Sequence, residues 1–337
     1  MKAGVDVYPP FPKPRSLIRR SGSSPKMIPE GSLHTAVLLD EVVAALAPRA
    51  GGIYVDCTFG RGGHTKALLE HVGEQGRVLA LDRDPQAVSD GYTLAMTDER
   101  LKMENINFSA LGRIAEAEGV YGKVNGILFD LGVSSPQLQD PMRGFSFRFD
   151  GPLDMRMDPK SGTRAATWLA RASECQISEI LRRYGEERFA KRIARAIVSA
   201  RAHSPIETTH QLANIVVEAV PYRERNKHPA TRTFQAMRIF VNRELDELQA
   251  ALDQTPGVLA HGGRFAVISF HSLEDRIVKR FIRAQSHTYP ELSCDGPAKD
   301  SGARLRAVGK FIRPSPAEMV RNPRARSAVL RVAEKCT

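Results

Sequence analysis

The sequence predicts an α/β fold, a parallel sheet covered on both faces, with an all-helical domain inserted into it. Three observations carry that expectation. Short, near-continuous apolar runs alternate with helical stretches, as in strands buried on both faces. The first of these runs leads into a glycine-rich turn, as in a nucleotide-binding β-α unit. Strand signals stop after Asp130 and resume at Arg264, so the helical stretch between them reads as an insertion and not as a tandem domain.

The elements follow in chain order. Ile53-Tyr54-Val55-Asp56 is a short strand, Phe59 to Thr65 is the glycine-rich loop, and a helix begins over Lys66 to His71. Gly76 to Asp82 is the second strand and ends in an acid. Gly126 to Asp130 and Gly263 to Phe270 are later strands, and the segments around Leu305–Ile312 and Ser327–Val332 read as two more. Residues 31–139 and 245–337 are therefore expected to form the sheet domain. Residues 140–244, punctuated by Pro205, Pro221 and Pro229, are expected to form the helical insert. Trp168, the single tryptophan, sits in a helical run and is expected to pack in a core.

Composition excludes several classes. Hydrophobic residues at 42% and charged residues at 26% are globular values, which argues against wholesale disorder. No run approaches the roughly 18 apolar residues of a membrane span. Cys57, Cys175, Cys294 and Cys336 lie far apart and form no CxxC pair, so neither a zinc site nor a disulfide framework is expected, and the setting should be reducing and cytoplasmic.

The net charge of +11 points to a polyanionic partner. Part of it lies at the start, where Lys2, Lys13, Arg15, Arg19, Arg20 and Lys26 face Asp6 alone. Residues 1–30 are expected to be a disordered basic tail, with Met27 as an alternative true start; a transit peptide is the weaker reading, because prolines fit an amphipathic helix poorly. A second concentration, 13 Lys/Arg against 5 Asp/Glu between Arg182 and Arg243, lies largely on helical pattern. Phe189, Ile193, Ile197 and Val198 make an apolar stripe there, with Arg188, Lys191, Arg192 and Arg195 largely off it. A solvated helix face explains such charges, and the scarcity of acids favours a nucleic-acid surface.

The glycine-rich turn brings backbone amides to a helix N-terminus, and Asp82, 22 residues after Gly60, suits a ribose diol. Gly60-Arg61-Gly62-Gly63-His64 is not a clean GxGxxG, which disfavours NAD and favours S-adenosylmethionine, a cofactor without a pyrophosphate. Asp130 to Gln137 leaves a strand at the carboxyl edge of the sheet, where such folds bind ligands.

Taken together, the segments resemble the MraW, or RsmH, family of 16S rRNA cytosine-N4 methyltransferases, from about Leu33 to Ala333. The supporting segments are His34–Glu41, Thr58–Thr65, Asp82–Ala87, Asp130–Gln137, Arg143–Phe147, Gly151–Asp158, Tyr184–Ala190, His228–Ala236 and Ser269–Arg276. The resemblance implies a class I, Rossmann-like methyltransferase domain, with S-adenosylmethionine held by Gly62, Gly63, His64, Asp82, Phe108, Asp130 and Gln137. It implies a cytosine in the decoding centre of 16S rRNA as target, in the small ribosomal subunit, for an enzyme acting as monomer or homodimer. Ser134-Ser135-Pro136-Gln137 departs from the (D/N/S)PP(Y/F) tetrapeptide of many amino-methyltransferases, so the aromatic that stacks the base must come from elsewhere.

Methyl transfer to an amine needs alignment and a hydrogen-bond acceptor, and no metal. Asp130, with Ser134, Ser135 and Pro136, is the expected catalytic set; Arg143, Arg232, His271 and Arg276 are expected on the substrate side. For His271, Arg232 and Arg276 the competing reading is structural. A nucleotide-dependent oxidoreductase, another nucleic-acid amino-methyltransferase and a non-catalytic ribosome assembly factor are the rival functions.

Overall fold

The computed structural model describes residues 36–221, 228–286 and 304–336, all within the compact unit His34–Thr337. The tail expected over residues 1–30 lies outside the described residues. In chain order the elements are α1 (Leu39–Leu46), β1 (Ile53–Asp56), α2 (Gly63–His71), β2 (Arg77–Asp82), α3 (Pro85–Ala95), β3 (Leu101–Asn105), α4 (Leu111–Ala117) and β4 (Val124–Asp130). There follow α5 (Ser135–Gln139), α6 (Ala165–Arg171), α7 (Glu174–Gly185), α8 (Ala190–His203), α9 (Thr209–Ala219), α10 (Thr231–Asn242) and α11 (Glu244–Val258). The chain then returns to the sheet with β5 (Leu259–Ser269), α12 (Ser272–Gln285), β6 (Leu305–Ala307), α13 (Pro316–Arg321) and β7 (Val329–Lys335).

The described strands form one sheet in the order β3-β2-β1-β4-β5-β7-β6. β3, β2, β1, β4 and β5 run parallel, whereas β7 is antiparallel to both β5 and β6. The antiparallel strand departs from the expectation of a parallel sheet, because the residue pattern within a strand carries no direction. β3 was not expected at all. Its residues alternate between buried and exposed at the sheet edge, so it shows no continuous apolar run.

The pleat of β4 explains how the sheet is covered. Ile127 and Phe129 point into one apolar cluster, with Leu111, Ile114, Leu248, Leu252 and Phe281 from α4, α11 and α12. Leu128 points into the other, with Val42, Leu46, Leu68 and Val88 from α1, α2 and α3. Gly126 lies opposite Tyr54 of β1. A Cβ at Gly126 would stand 2.6 Å from the Tyr54 ring, so the glycine makes room for a fully buried phenol.

Helices α6 to α10 gather around a third apolar cluster that includes Leu169, Ile177, Leu181, Ile193, Ile197, Leu212, Val216, Phe234 and Met237. Ser173 with Gln176 and Thr208 with Gln211 form capping boxes that start α7 and α9. Trp168 is partly buried and packs on Phe240 with ring centroids 4.5 Å apart. Polar bonds join this set to the sheet: Arg83 Nη1 donates to the Asn242 carbonyl at 3.1 Å, and Asn242 holds the backbone of Met155 and Met157, each at 2.7 Å.

Candidate active site

β1, β2, β4 and β5 end on one edge of the sheet, the edge where doubly wound folds bind ligands. Asp56, at the end of β1, is buried and satisfied by the Thr58 amide and the Thr65 hydroxyl, so it braces the following loop from within. In that loop Gly60 and Gly62 take φ values of +55° and +71°. A Cβ on Gly62 would lie 2.7 Å from the Phe59 ring, and one on Gly63 would lie 3.0 Å from Ala36 Cβ. Phe59 and Ala36 thus pack against these two glycines, and neither position has room for a side chain. α2 begins at Gly63 and not near Lys66, and no side chain among the described residues caps its first-turn amides. An uncapped helix N-terminus of this kind receives an anion.

Asp82, at the end of β2, is fixed by two amides, those of Gly60 and Asp84, each at 2.9 Å. Burial pushes its carboxyl up to about 6, against these amide bonds. Phe108 opens a short 3₁₀ turn and meets Phe129 edge to face at 5.9 Å. Gln254 of α11 holds that turn through Gly112 and Ser109, both at 2.7 Å.

Asp130 ends the central strand. Its amide donates to the Thr58 hydroxyl at 2.7 Å, and its Oδ2 lies 3.7 Å from His64 Nδ1. His64 is itself buried, with Nε2 3.1 Å from the Val37 carbonyl. Oδ1 of Asp130 is shielded and accepts no hydrogen bond among the described residues, while the side chain keeps 24% of its surface open. A buried acceptor without a donor costs free energy, so the carboxylate is left one partner short. Burial pushes the Asp130 carboxyl up to about 6; His64 and Arg324 oppose that rise, and Asp56 and Glu274 add to it.

After Asp130 the chain forms the single capped turn of α5. Ser134 is its cap, with its amide bonded to Gln137 Oε1 at 2.8 Å, and Pro136 occupies the first turn. Ser135 Oγ and the Val133 carbonyl both accept from Arg324. Gln137 is buried, and its Nε2 donates to Asp84. Asp84 also caps α3 through the Gln86 amide at 2.9 Å and pairs with Arg143 at 2.7 Å. The rest of the Arg143 guanidinium donates to the carbonyls of Arg156 and Met157.

The structure brings Gly62, Gly63, His64, Asp82, Asp130 and Ser134 to Pro136 to one edge. It ties the expected substrate-side residues into the chain itself. Arg143 is held by Asp84. Arg232 donates to the Glu186 carbonyl, and Arg276 pairs with the Glu186 carboxylate, each at 3.0 Å. His271 caps α12, with Nδ1 3.4 Å from the Glu274 amide and Nε2 3.1 Å from Glu274 Oε1 without a hydrogen bond. Behind this cap, Arg238 makes two bonds to Glu244, at 3.0 and 2.9 Å, in buried surroundings. Glu244, His271 and Glu274 bring their ligand-type atoms within 4.8 Å of one another, with Arg238 supplying the counter-charge.

Sequence reasoning missed Asp84, Thr58 and Arg324. Asp84 carried a signal, because an Asp before Pro85 is a helix-start pattern. Arg324 carried none, since it reaches Ser135 across 189 residues of chain.

The family model described as the MraW methylase family matches residues 31–336. Ribosomal RNA small subunit methyltransferase H of Thioalkalivibrio sulfidiphilus is 57% identical over 305 residues, covering 90% of this chain and 97% of that protein. The protein of the same name from Thiobacillus denitrificans gives the same identity and the same shares. That of Coxiella burnetii is 55% identical over 302 residues, covering 90% of this chain and 98% of its own.

Proposed function

Because the chain belongs to the MraW methylase family, we propose that it methylates the N4 amine of a cytosine in 16S rRNA, in the decoding centre of the small ribosomal subunit, with S-adenosylmethionine as donor. The observation that carries this reading is the unpartnered Oδ1 of Asp130 beside the glycine cradle. When bound, S-adenosylmethionine supplies a methyl group on a cationic sulfonium sulfur. The residues present fit it: a glycine turn that admits no side chain, an uncapped helix N-terminus, a fixed carboxylate at the end of β2 and an aromatic turn.

The Gly62 amide is spent on the Phe59 carbonyl and sets the turn, so the amides of Gly63 and His64 would hold the donor's carboxylate, and Asp82 would accept from its ribose hydroxyls. Phe108 would cover its adenine. Asp130 accepts a hydrogen bond from the cytosine N4 amine through the open part of its carboxylate, which favours the pyramidal nitrogen and gives its proton a place to go. The backbone of Ser134 to Pro136 lines the base, kept in place by Arg324. Gln137 works through Asp84. Arg143, Arg232, His271 and Arg276 position the loops around the substrate. A substrate of this kind puts the enzyme in the cytoplasm. Among the described residues no helix is long and apolar enough to cross a membrane.

Labelled S-adenosylmethionine, offered with small subunits lacking this modification and with naked 16S rRNA, tests the reading. N4-methylcytidine in the digested RNA is the expected product. Another nucleoside, or no label despite bound donor, would overturn it. The cradle makes a second expectation. Gly60→Ala meets nothing nearer than 3.8 Å and bears only the left-handed backbone strain of about 1–2 kcal/mol. Gly62→Ala adds the clash with Phe59, so calorimetry should show donor binding weakened further, by at least about tenfold. Equal affinities of the two variants would refute the packing argument.

A further inference from the structure

We infer that the C-terminal segment 304–331 is a second RNA-facing surface, on which Phe311 stacks an unpaired base and Lys310, Arg313, Arg321 and Arg326 meet the flanking phosphates. The inference rests on the reading above that the substrate is an RNA. Residues 304–331 hold eight Lys/Arg against Glu318 alone, a denser excess than that of the helical insert.

Both concentrations of charge are partly matched within the chain. In the insert, Arg182 pairs with Glu179, Arg195 with Glu174, Arg238 with Glu244 and Arg243 with Asp246. In the C-terminal segment Arg306 pairs with Glu334, Arg331 with Asp275, and Arg324 is committed to the loop after β4. Lys310, Arg313, Arg321 and Arg326 are exposed and make no ion pair among the described residues. Their charge is available to phosphates.

The segment borders the active site. Arg324 touches Val133 and Ser135, and Glu318 accepts from the Leu38 amide at 2.8 Å, next to the Val37 carbonyl that holds His64. Ile312 bridges to Leu330, which lies opposite Ile268, one residue before the carboxyl end of β5. Phe311 is 49% exposed. The guanidinium carbons of Arg313 and Arg331 lie 5.6 and 5.4 Å from its ring centre. Arg331 is fixed by two bonds to Asp275. Arg313 has no such anchor, so it can leave the ring for a phosphate while a base takes its place. An aromatic face beside cations is how single-stranded nucleic acid is held.

The test uses full-length enzyme and unmodified small subunits. Phe311→Ala should raise KM for the particle about tenfold, with kcat and donor affinity unchanged, and Phe311→Trp should restore it. Replacing Lys310, Arg313, Arg321 and Arg326 together by serine should flatten the dependence of log KM on log salt, by about 0.7 for each phosphate that the variant no longer neutralises. Wild-type KM and salt slope in both variants, with an active parent, would overturn the surface alone. A parent enzyme that transfers no label to rRNA would overturn the functional reading and the surface with it.

Discussion

Replacing Asp130 with asparagine is expected to lower kcat by about 10²–10⁴-fold while making the protein more stable above pH 6. The two effects have one cause. The carboxylate sits where burial disfavours charge, with Oδ1 unpartnered, and its pKa stands at about 6 against an ordinary value of 3.8. Between those values the native state holds a proton that the unfolded chain has released. Stability therefore falls as pH rises through this window, and above pH 6 the full destabilisation is present. It amounts to about 2–3 kcal/mol at most. Asparagine carries no charge and escapes it. Denaturant titrations should show the variant more stable than its parent at pH 8 and indistinguishable from it near pH 4. In the parent, kcat/KM should rise with pH through about 6, as Asp130 becomes the ionised acceptor, and the residual activity of the variant should lack that step. A variant with parental turnover would remove Asp130 from the chemistry. A variant less stable at pH 8 would show that the carboxylate is structural.

The sequence made the strands at the centre of the sheet visible because both their faces are buried. Ile127, Leu128 and Phe129 read as one apolar run for the same reason that they divide between two cores. β3 stayed hidden because an edge strand alternates, and the direction of β7 because side-chain pattern does not encode it. In the site, residues at strand ends were legible through a rule of topology: ligands sit at carboxyl ends, and Asp82 and Asp130 end β2 and β4. Pairings were not legible. Arg143, Arg232 and Arg276 look like RNA ligands when read along the chain, yet each has an internal acceptor supplied by a distant part of it. Counting charge located the basic insert and could not say which of its cations the fold pairs with acids.

Asp84 is the residue whose loss should reach furthest. Asp84→Ala is expected to destabilise the protein by about 3–5 kcal/mol and to cost most of the activity that remains at temperatures where it is folded. The carboxylate is 5% exposed and Arg143 16%, so deletion leaves a nearly buried guanidinium without its counter-charge. It also removes the cap of α3, worth about 1 kcal/mol, and the acceptor for Gln137. These bonds tie three segments together: the end of β2 that carries Asp82, the loop that carries Ser134 to Gln137, and the Arg143 segment leading into the helices. Asp84→Asn keeps one oxygen for the cap and loses both the ion pair and the acceptor for Gln137, so it should fall between parent and alanine variant. Arg143→Met removes the stranded cation. If the pair is the main contribution, the double variant Asp84→Ala/Arg143→Met should recover a good part of the lost stability, a coupling that thermal denaturation of the four proteins measures directly. Recovered stability without recovered turnover would then separate the two duties of Asp84, since only the carboxylate holds Gln137 and, through it, the loop beside Asp130. Additive losses would mean that Asp84 and Arg143 act independently, and that the link between the sheet and the helical set lies in Arg83 and Asn242 instead.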